Sequence, residues 1–208
     1  MDTYGSSMAP FYTVLALWVG GLILVAIIHT KVEMEPSFKN AKPHQQFFGR
    51  YITFFLIAQI QALITVLGDL YFIGIECAHP FLFWLAASCS SFVFGFLMYA
   101  LTAAFGNIGE GLAIIIMVIQ VAGAGCTFPI ETLPKVFQTF YRFQPFKYAM
   151  GAMKEAVAGM YQDDYWKDLA ILLSYTIISL IVGLVLAVPF RKLNHILEES
   201  KEKSGVML

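Results

Sequence analysis

The sequence predicts an all-α integral membrane protein with about five transmembrane helices and an outer re-entrant pair of amphipathic helices. Three observations carry that prediction. Of 208 residues, 59% are hydrophobic and 13% charged, against about 45–50% and about 25% in soluble domains. Mean hydropathy is +0.72, which is more apolar surface than one soluble core of this length can bury. The apolar residues also fall in long runs, and about 20 of them cross the hydrocarbon as a helix. The runs do not alternate as barrel strands would.

The first span is expected at about 11–28. Met1 to Pro10 has no basic n-region and charges follow Ile28, so this run is expected to be retained rather than cleaved as a signal peptide. The second span is expected at about 52–73 and the third at about 81–105. The fourth, about 111–127, is short and ends in glycines. The fifth runs over about 169–190, ahead of a tail at 191–208. The whole chain reads as a single transmembrane domain.

Lys and Arg placement sets the orientation. The connection before the second span carries Lys31, Lys39, Lys42 and Arg50, and the tail carries Arg191, Lys192, Lys201 and Lys203. The turn at 74–80 has none. The N-terminus is therefore expected outside and the C-terminus in the cytoplasm, in a multi-pass membrane protein.

Five cations between Pro129 and Asp168 fall on the outer side against that rule. Periodicity explains them. Leu133, Val136, Phe137 and Phe140 recur at helical spacing, as do Phe146, Ala149, Met150, Met153 and Val157. Gln144-Pro145 separates the two sets, since proline disfavours helix in the residue before it. Two short amphipathic helices, a re-entrant hairpin over about 131–160, are expected to dip into or lie on the outer leaflet.

Polar residues inside the spans are few. Gln59, Gln61, Asp69 and Ser88 are the pathway candidates, because buried polar groups in lipid are costly. The favoured reading is plainer: the glutamines make interhelical hydrogen bonds, and Asp69 is near enough to the span end to reach the interface. Ser88, Cys89, Ser90, Ser91 and Gly95 form a small-residue face suited to close packing. Asp163, Asp164 and Asp168 suit either a hard cation or the positive end of the following helix, with the helix favoured.

Several chemistries have no support. A net charge of −1 argues against a nucleic-acid surface. Cys77, Cys89 and Cys126 have no zinc spacing, and the four histidines are scattered. The glycines of 105–111 match no phosphate loop, having no following Lys-Ser or Lys-Thr, and read as a tight turn. No cofactor, metal or catalytic residue is expected, and no enzymatic activity. A step driven by ATP would need another polypeptide.

The run Gln120 to Pro134, Gln-Val-Ala-Gly-Ala-Gly-Cys-Thr-Phe-Pro-Ile-Glu-Thr-Leu-Pro, resembles the C-terminal membrane domain of the YhgE/Pip family, the phage infection proteins. The likeness continues through Phe143 to Tyr148 and Met150 to Gly159. It also appears at Tyr4-Gly5, Met8 to Pro10, Leu17 to Gly20 and Phe105 to Asn107. The resemblance implies a type-2 ABC transporter permease fold, with a re-entrant pair before the last helix. Phe128, Pro129, Glu131, Pro134, Pro145 and Tyr148 would mark the outer hairpin. Family members carry a further N-terminal helix and a large extracellular domain, so this chain is expected to be a fragment or to need a companion.

The resemblance further implies a permease-like component of an ABC-type export system, working by alternating access as a homodimer or hetero-oligomer. A separate ATPase subunit would bind the 31–50 loop, with Glu33, Glu35, Pro36, Lys39 and Lys42 as contact candidates. The alternative is a non-transporting membrane anchor, surface receptor for phage, or secretion-machine scaffold.

Overall fold

The computed structural model describes residues 4–28, 43–123 and 134–186. Among them there are helices and no strands: α1 (Tyr4–Ile27), α2 (Pro43–Leu67), α3 (Pro80–Phe105), α4 (Asn107–Gly123), α5 (Lys135–Tyr141), α6 (Pro145–Ala158) and α7 (Asp164–Leu180). α2 and α7 each continue into a π-helical turn, Gly68–Ile73 and Ile181–Leu186. Helices satisfy every internal backbone group without water, the requirement for crossing lipid. Among the described residues, four segments are long and apolar enough to cross: Gly5–Ile27, His44–Ile73, Pro80–Phe105 and Asp164–Val185. α4 is also apolar but shorter, about 25 Å for its 17 residues.

The helices start earlier than the apolar runs do. α1 begins at Tyr4 and includes Pro10, α2 begins at Pro43, and α7 begins at Asp164. Helical hydrogen bonding does not stop at the hydrocarbon boundary, so polar flanks extend the rods. α3 runs from Pro80 to Phe105, because Pro80 is preset for the first helical position and Gly106 ends the helix.

α3 is the centre of the bundle and packs on α1, α2, α4, α6 and α7. It is apolar around its circumference, and a helix of that kind is buried on all sides. Its second half, from Val93 to Thr102, is buried without a break. α2 is one-sided instead. Phe47, Tyr51, Phe54, Ala58, Ala62 and Val66 face inward, while Ile52, Leu56, Ile60, Leu63, Ile64 and Leu67 are exposed. An apolar exposed stripe of that length suits lipid rather than water.

Aromatic rings fill the α2–α3 seam. Tyr51 and Phe96 have ring centroids 4.6 Å apart, and Phe54 and Tyr99 4.9 Å. Each tyrosine hydroxyl finds a partner: Tyr99 donates to the Phe47 carbonyl at 2.8 Å, and Tyr51 to the Phe92 carbonyl at 3.2 Å. Gly106, at φ +60, reverses the chain between α3 and α4 within a single residue. Gly109 then lies so close to α3 that a Cβ there would stand 2.2 Å from the Leu101 carbonyl oxygen.

Candidate functional site

The α5–α6 hairpin and the bundle end that receives it form the site. Pro134 precedes α5 in extended geometry, and Gln144 (φ −93, ψ 121) with Pro145 separates α5 from α6. The break thus lies where proline forbids helix in its predecessor. α6 has 14 residues, about 21 Å, and is too short to cross the bilayer.

α6 is seated in the bundle and does not merely lie across it. Phe146, Ala149, Met150, Ala152, Met153, Ala156 and Val157 are buried, and they pack on α1, α3 and α7. The Phe146 and Phe11 rings meet edge to face, with centroids 5.8 Å apart. A Cβ on Gly151 would stand 2.0 Å from Asp168 Oδ2, so the Asp168 carboxyl group of α7 lies directly over this glycine.

Both ends of α6 are held by hydrogen bonds. At its start, the Phe146 amide donates to Gln120 Oε1 of α4 at 3.1 Å, and Gln144 Nε2 donates to the Ile119 carbonyl at 3.4 Å. At its finish, the turn between α2 and α3 docks on its last carbonyls. Ala78 N donates to Val157 O at 3.1 Å and His79 N to Ala156 O at 3.0 Å. The same turn reaches α1, where Ser6 Oγ accepts from Glu76 N at 3.0 Å. Among the described residues, Gln120 Nε2 and Gln144 Oε1, one donor and one acceptor, have no partner although their residues are 1% and 5% exposed. Buried unpaired groups of this kind cost about 1–3 kcal/mol each.

A cation is stored in the hairpin. Lys147 Nζ lies 4.8 Å from the Tyr141 ring centre and 5.1 Å from that of Tyr148. Tyr148 in turn donates to the Arg142 carbonyl at 2.7 Å, tying the α5–α6 turn to α6.

The pathway candidates do not converge on this hairpin. Gln59 and Ser88 form a reciprocal pair between α2 and α3: Ser88 Oγ donates to Gln59 Oε1, and Gln59 Nε2 donates to the Ser88 carbonyl at 3.2 Å. Ser91 joins the same seam, donating to the Ala58 carbonyl at 2.8 Å. Gln61 turns to α1 and donates to the Ala16 carbonyl at 3.2 Å. Asp69 is 8% exposed in the π-helical turn, with Thr13 Oγ1 of α1 at 2.6 Å from its Oδ2.

Of the remaining expected positions, Pro134 and Pro145 bracket α5, and Tyr148 braces the turn. Phe128, Pro129 and Glu131 lie outside the described residues, as do Glu33, Glu35, Pro36, Lys39, Lys42, Cys126 and the 191–208 tail. Asp164 lies in the first turn of α7 and pairs with Lys167 at 3.1 Å. No cluster of three metal-ligating side chains occurs among the described residues. Sequence reasoning passed over Gln120, Gln144, Thr13 and Ser6. Gln120 had a usable signal: it is a polar amide inside an apolar run, as Gln59 and Gln61 are.

Comparison with known proteins agrees with this architecture. YhgE of Bacillus subtilis (strain 168) is 26% identical over 184 residues, covering 88% of this chain and 23% of that relative. The chain therefore spans about a quarter of that relative's length. No solved structure matches. The family model described as "ABC-2 family transporter protein" matches residues 1–187, nearly all of a helical bundle with a short helix pair inserted before its last helix, and the chain belongs to that family of transporter membrane proteins.

Proposed function

We propose that this chain is the membrane half of an ABC-type exporter, in which a separate ATPase drives alternating access and the α5–α6 hairpin is the outer gate. The observation that carries this reading is the seat of α6. It is a short helix buried among α1, α3 and α7, yet its start is fastened to α4 by amide hydrogen bonds with donor and acceptor capacity left over. A seam of a few directional bonds can open and re-form at modest cost.

The ATPase would bind the 31–50 connection through Glu33, Glu35, Pro36, Lys39 and Lys42. Two copies, or one copy with a companion half, would enclose the path. The exposed apolar stripes of α2, α4 and α7 supply faces for lipid and for that partner. The cargo would be apolar or lipid-like, since Gln59, Gln61, Asp69 and Ser88 offer no charged binding constellation.

Co-purification of the tagged full-length protein in mild detergent tests this reading. An ATPase or half-transporter is expected in the eluate, and Glu33→Lys and Lys39→Glu are expected to lower resistance to lipophilic compounds. Recovery of neither partner, with resistance unchanged in both variants, overturns it. Altered phage adsorption without altered resistance would assign the chain to a surface anchor instead.

A further inference from the structure

We infer that Asp69 is a proton-binding site: in this fold it carries a proton, which it donates to Thr13, while the Thr13 hydrogen goes to the Ala9 carbonyl. The inference goes beyond the gate described above and does not depend on it. Thr13 Oγ1 lies 2.8 Å from the Ala9 carbonyl oxygen and 2.6 Å from Asp69 Oδ2. Both are hydrogen-bond separations for oxygen pairs. A hydroxyl has one hydrogen to give and lone pairs to receive. A carbonyl oxygen only accepts, and so does an ionised carboxylate. With Asp69 ionised, one of the two contacts would be oxygen lone pairs pressed together with no hydrogen between them. With Asp69 protonated, both contacts are hydrogen bonds in a single chain.

The surroundings favour the same state. Asp69 is 8% exposed in a segment apolar enough to cross a membrane, where an uncompensated charge is costly. Among the described residues, Thr13 is the one side chain bonded to its carboxyl group. The ionisable groups on the elements around it are Tyr4 and Tyr12 on α1, Tyr71 in the π-helical turn, and Glu76, Cys77 and His79 in the turn beyond. Lys154 and Glu155 of α6 follow at the same bundle end. The other ionisable residues of α2, His44, Arg50 and Tyr51, lie at its far end.

Occupancy of the site is thereby tied to the packing of α1 on α2. Any conformation that lets water reach Asp69 releases the proton, and re-closure of the α1–α2 seam takes one up. π-Helical turns recur at functional positions, and this one places the acid at the seam.

Infrared difference spectroscopy of the purified full-length protein in lipid vesicles, stepped in pH, tests the inference. The carbonyl stretch of a protonated carboxylic acid is expected at neutral pH in the wild type, and the component due to Asp69 is expected to be lost in Asp69→Asn. Asp69→Glu, which keeps the acid but moves its band, makes the assignment if the asparagine variant does not fold. Thr13→Val is expected to shift the band by removing its acceptor. An acid band at neutral pH that persists unchanged in both Asp69 variants overturns the inference. So does a wild-type spectrum in which the Asp69 band appears only in acid.

Discussion

Gln120 Oε1 accepts the backbone N–H of Phe146 at 3.1 Å, so the first turn of an inserted helix is capped by a side chain from a different helix. No side chain of its own preceding residues caps α6. Gln120→Leu leaves that buried amide unpaired and is expected to cost about 1–3 kcal/mol of stability, measured by denaturation in detergent. Equal stability of wild type and the leucine variant would show that the contact holds nothing.

Two glycines of α4 provide a matched contrast. A methyl on Gly109 would collide with the Leu101 carbonyl and the Thr102 amide, both backbone, while a methyl on Gly111 meets nothing within 4 Å. Gly109→Ala is therefore expected to destabilise by about 1–3 kcal/mol or more, as overpacking does. Gly111→Ala is expected to be neutral or to gain up to about 1 kcal/mol from helix propensity. Thermal unfolding of the two variants side by side checks both, and a reversed order would contradict the α3–α4 packing described here.

The Gln59–Ser88 pair should appear as a coupling energy. Single interhelical hydrogen bonds in lipid average about 0.6 kcal/mol, and this pair makes two. Ser88→Ala removes only the bond from its hydroxyl, since the other is accepted by its backbone carbonyl, so a double-mutant cycle of Gln59→Leu and Ser88→Ala is expected to give about 0.6 kcal/mol. Strict additivity would mean that the two helices are not held there.

Cys77 reports on topology and on its surroundings together. Burial pushes its thiol above the usual range, partly offset by the His79 backbone, and its Sγ lies 3.5 Å from the Ala156 carbonyl. A raised value means less thiolate at neutral pH, and thiolate is the reactive form. Protein with Cys89 and Cys126 replaced by alanine is expected to label slowly with a membrane-impermeant maleimide in intact cells, faster as pH rises. Labelling that requires permeabilised cells would place the hairpin end in the cytoplasm.

The bundle was legible because its signal is long and redundant: each apolar run repeats the same instruction over 20 residues or so. The break at Gln144-Pro145 was legible for a local reason, the steric effect of proline on its predecessor. Polar partners were not. Gln59 and Gln61 stand two residues apart, about 200° around the helix, so one bonds α3 and the other α1. Nothing in the spacing says which neighbour occupies which side. Gln120 was hidden for the same reason, since its partner is a backbone amide 26 positions later and carries no side-chain signature. The buried setting of Asp69 likewise depends on Thr13 of α1, 56 positions earlier.

The central place of α3 bears on the order in which the protein can be built. α1 and α2 leave the ribosome before the helix against which both pack. Gln61 and Asp69 find their partners, Ala16 and Thr13, on α1, so the first helical hairpin shelters those groups by itself. Gln59 does not. Its partner Ser88 is on α3, and until that helix arrives the amide has to wait at the insertion machinery or beside lipid headgroups. Membrane insertion of α2 is thus completed by a helix not yet synthesised when α2 emerges, and α3 acts as the template that turns the α1–α2 hairpin into a closed bundle.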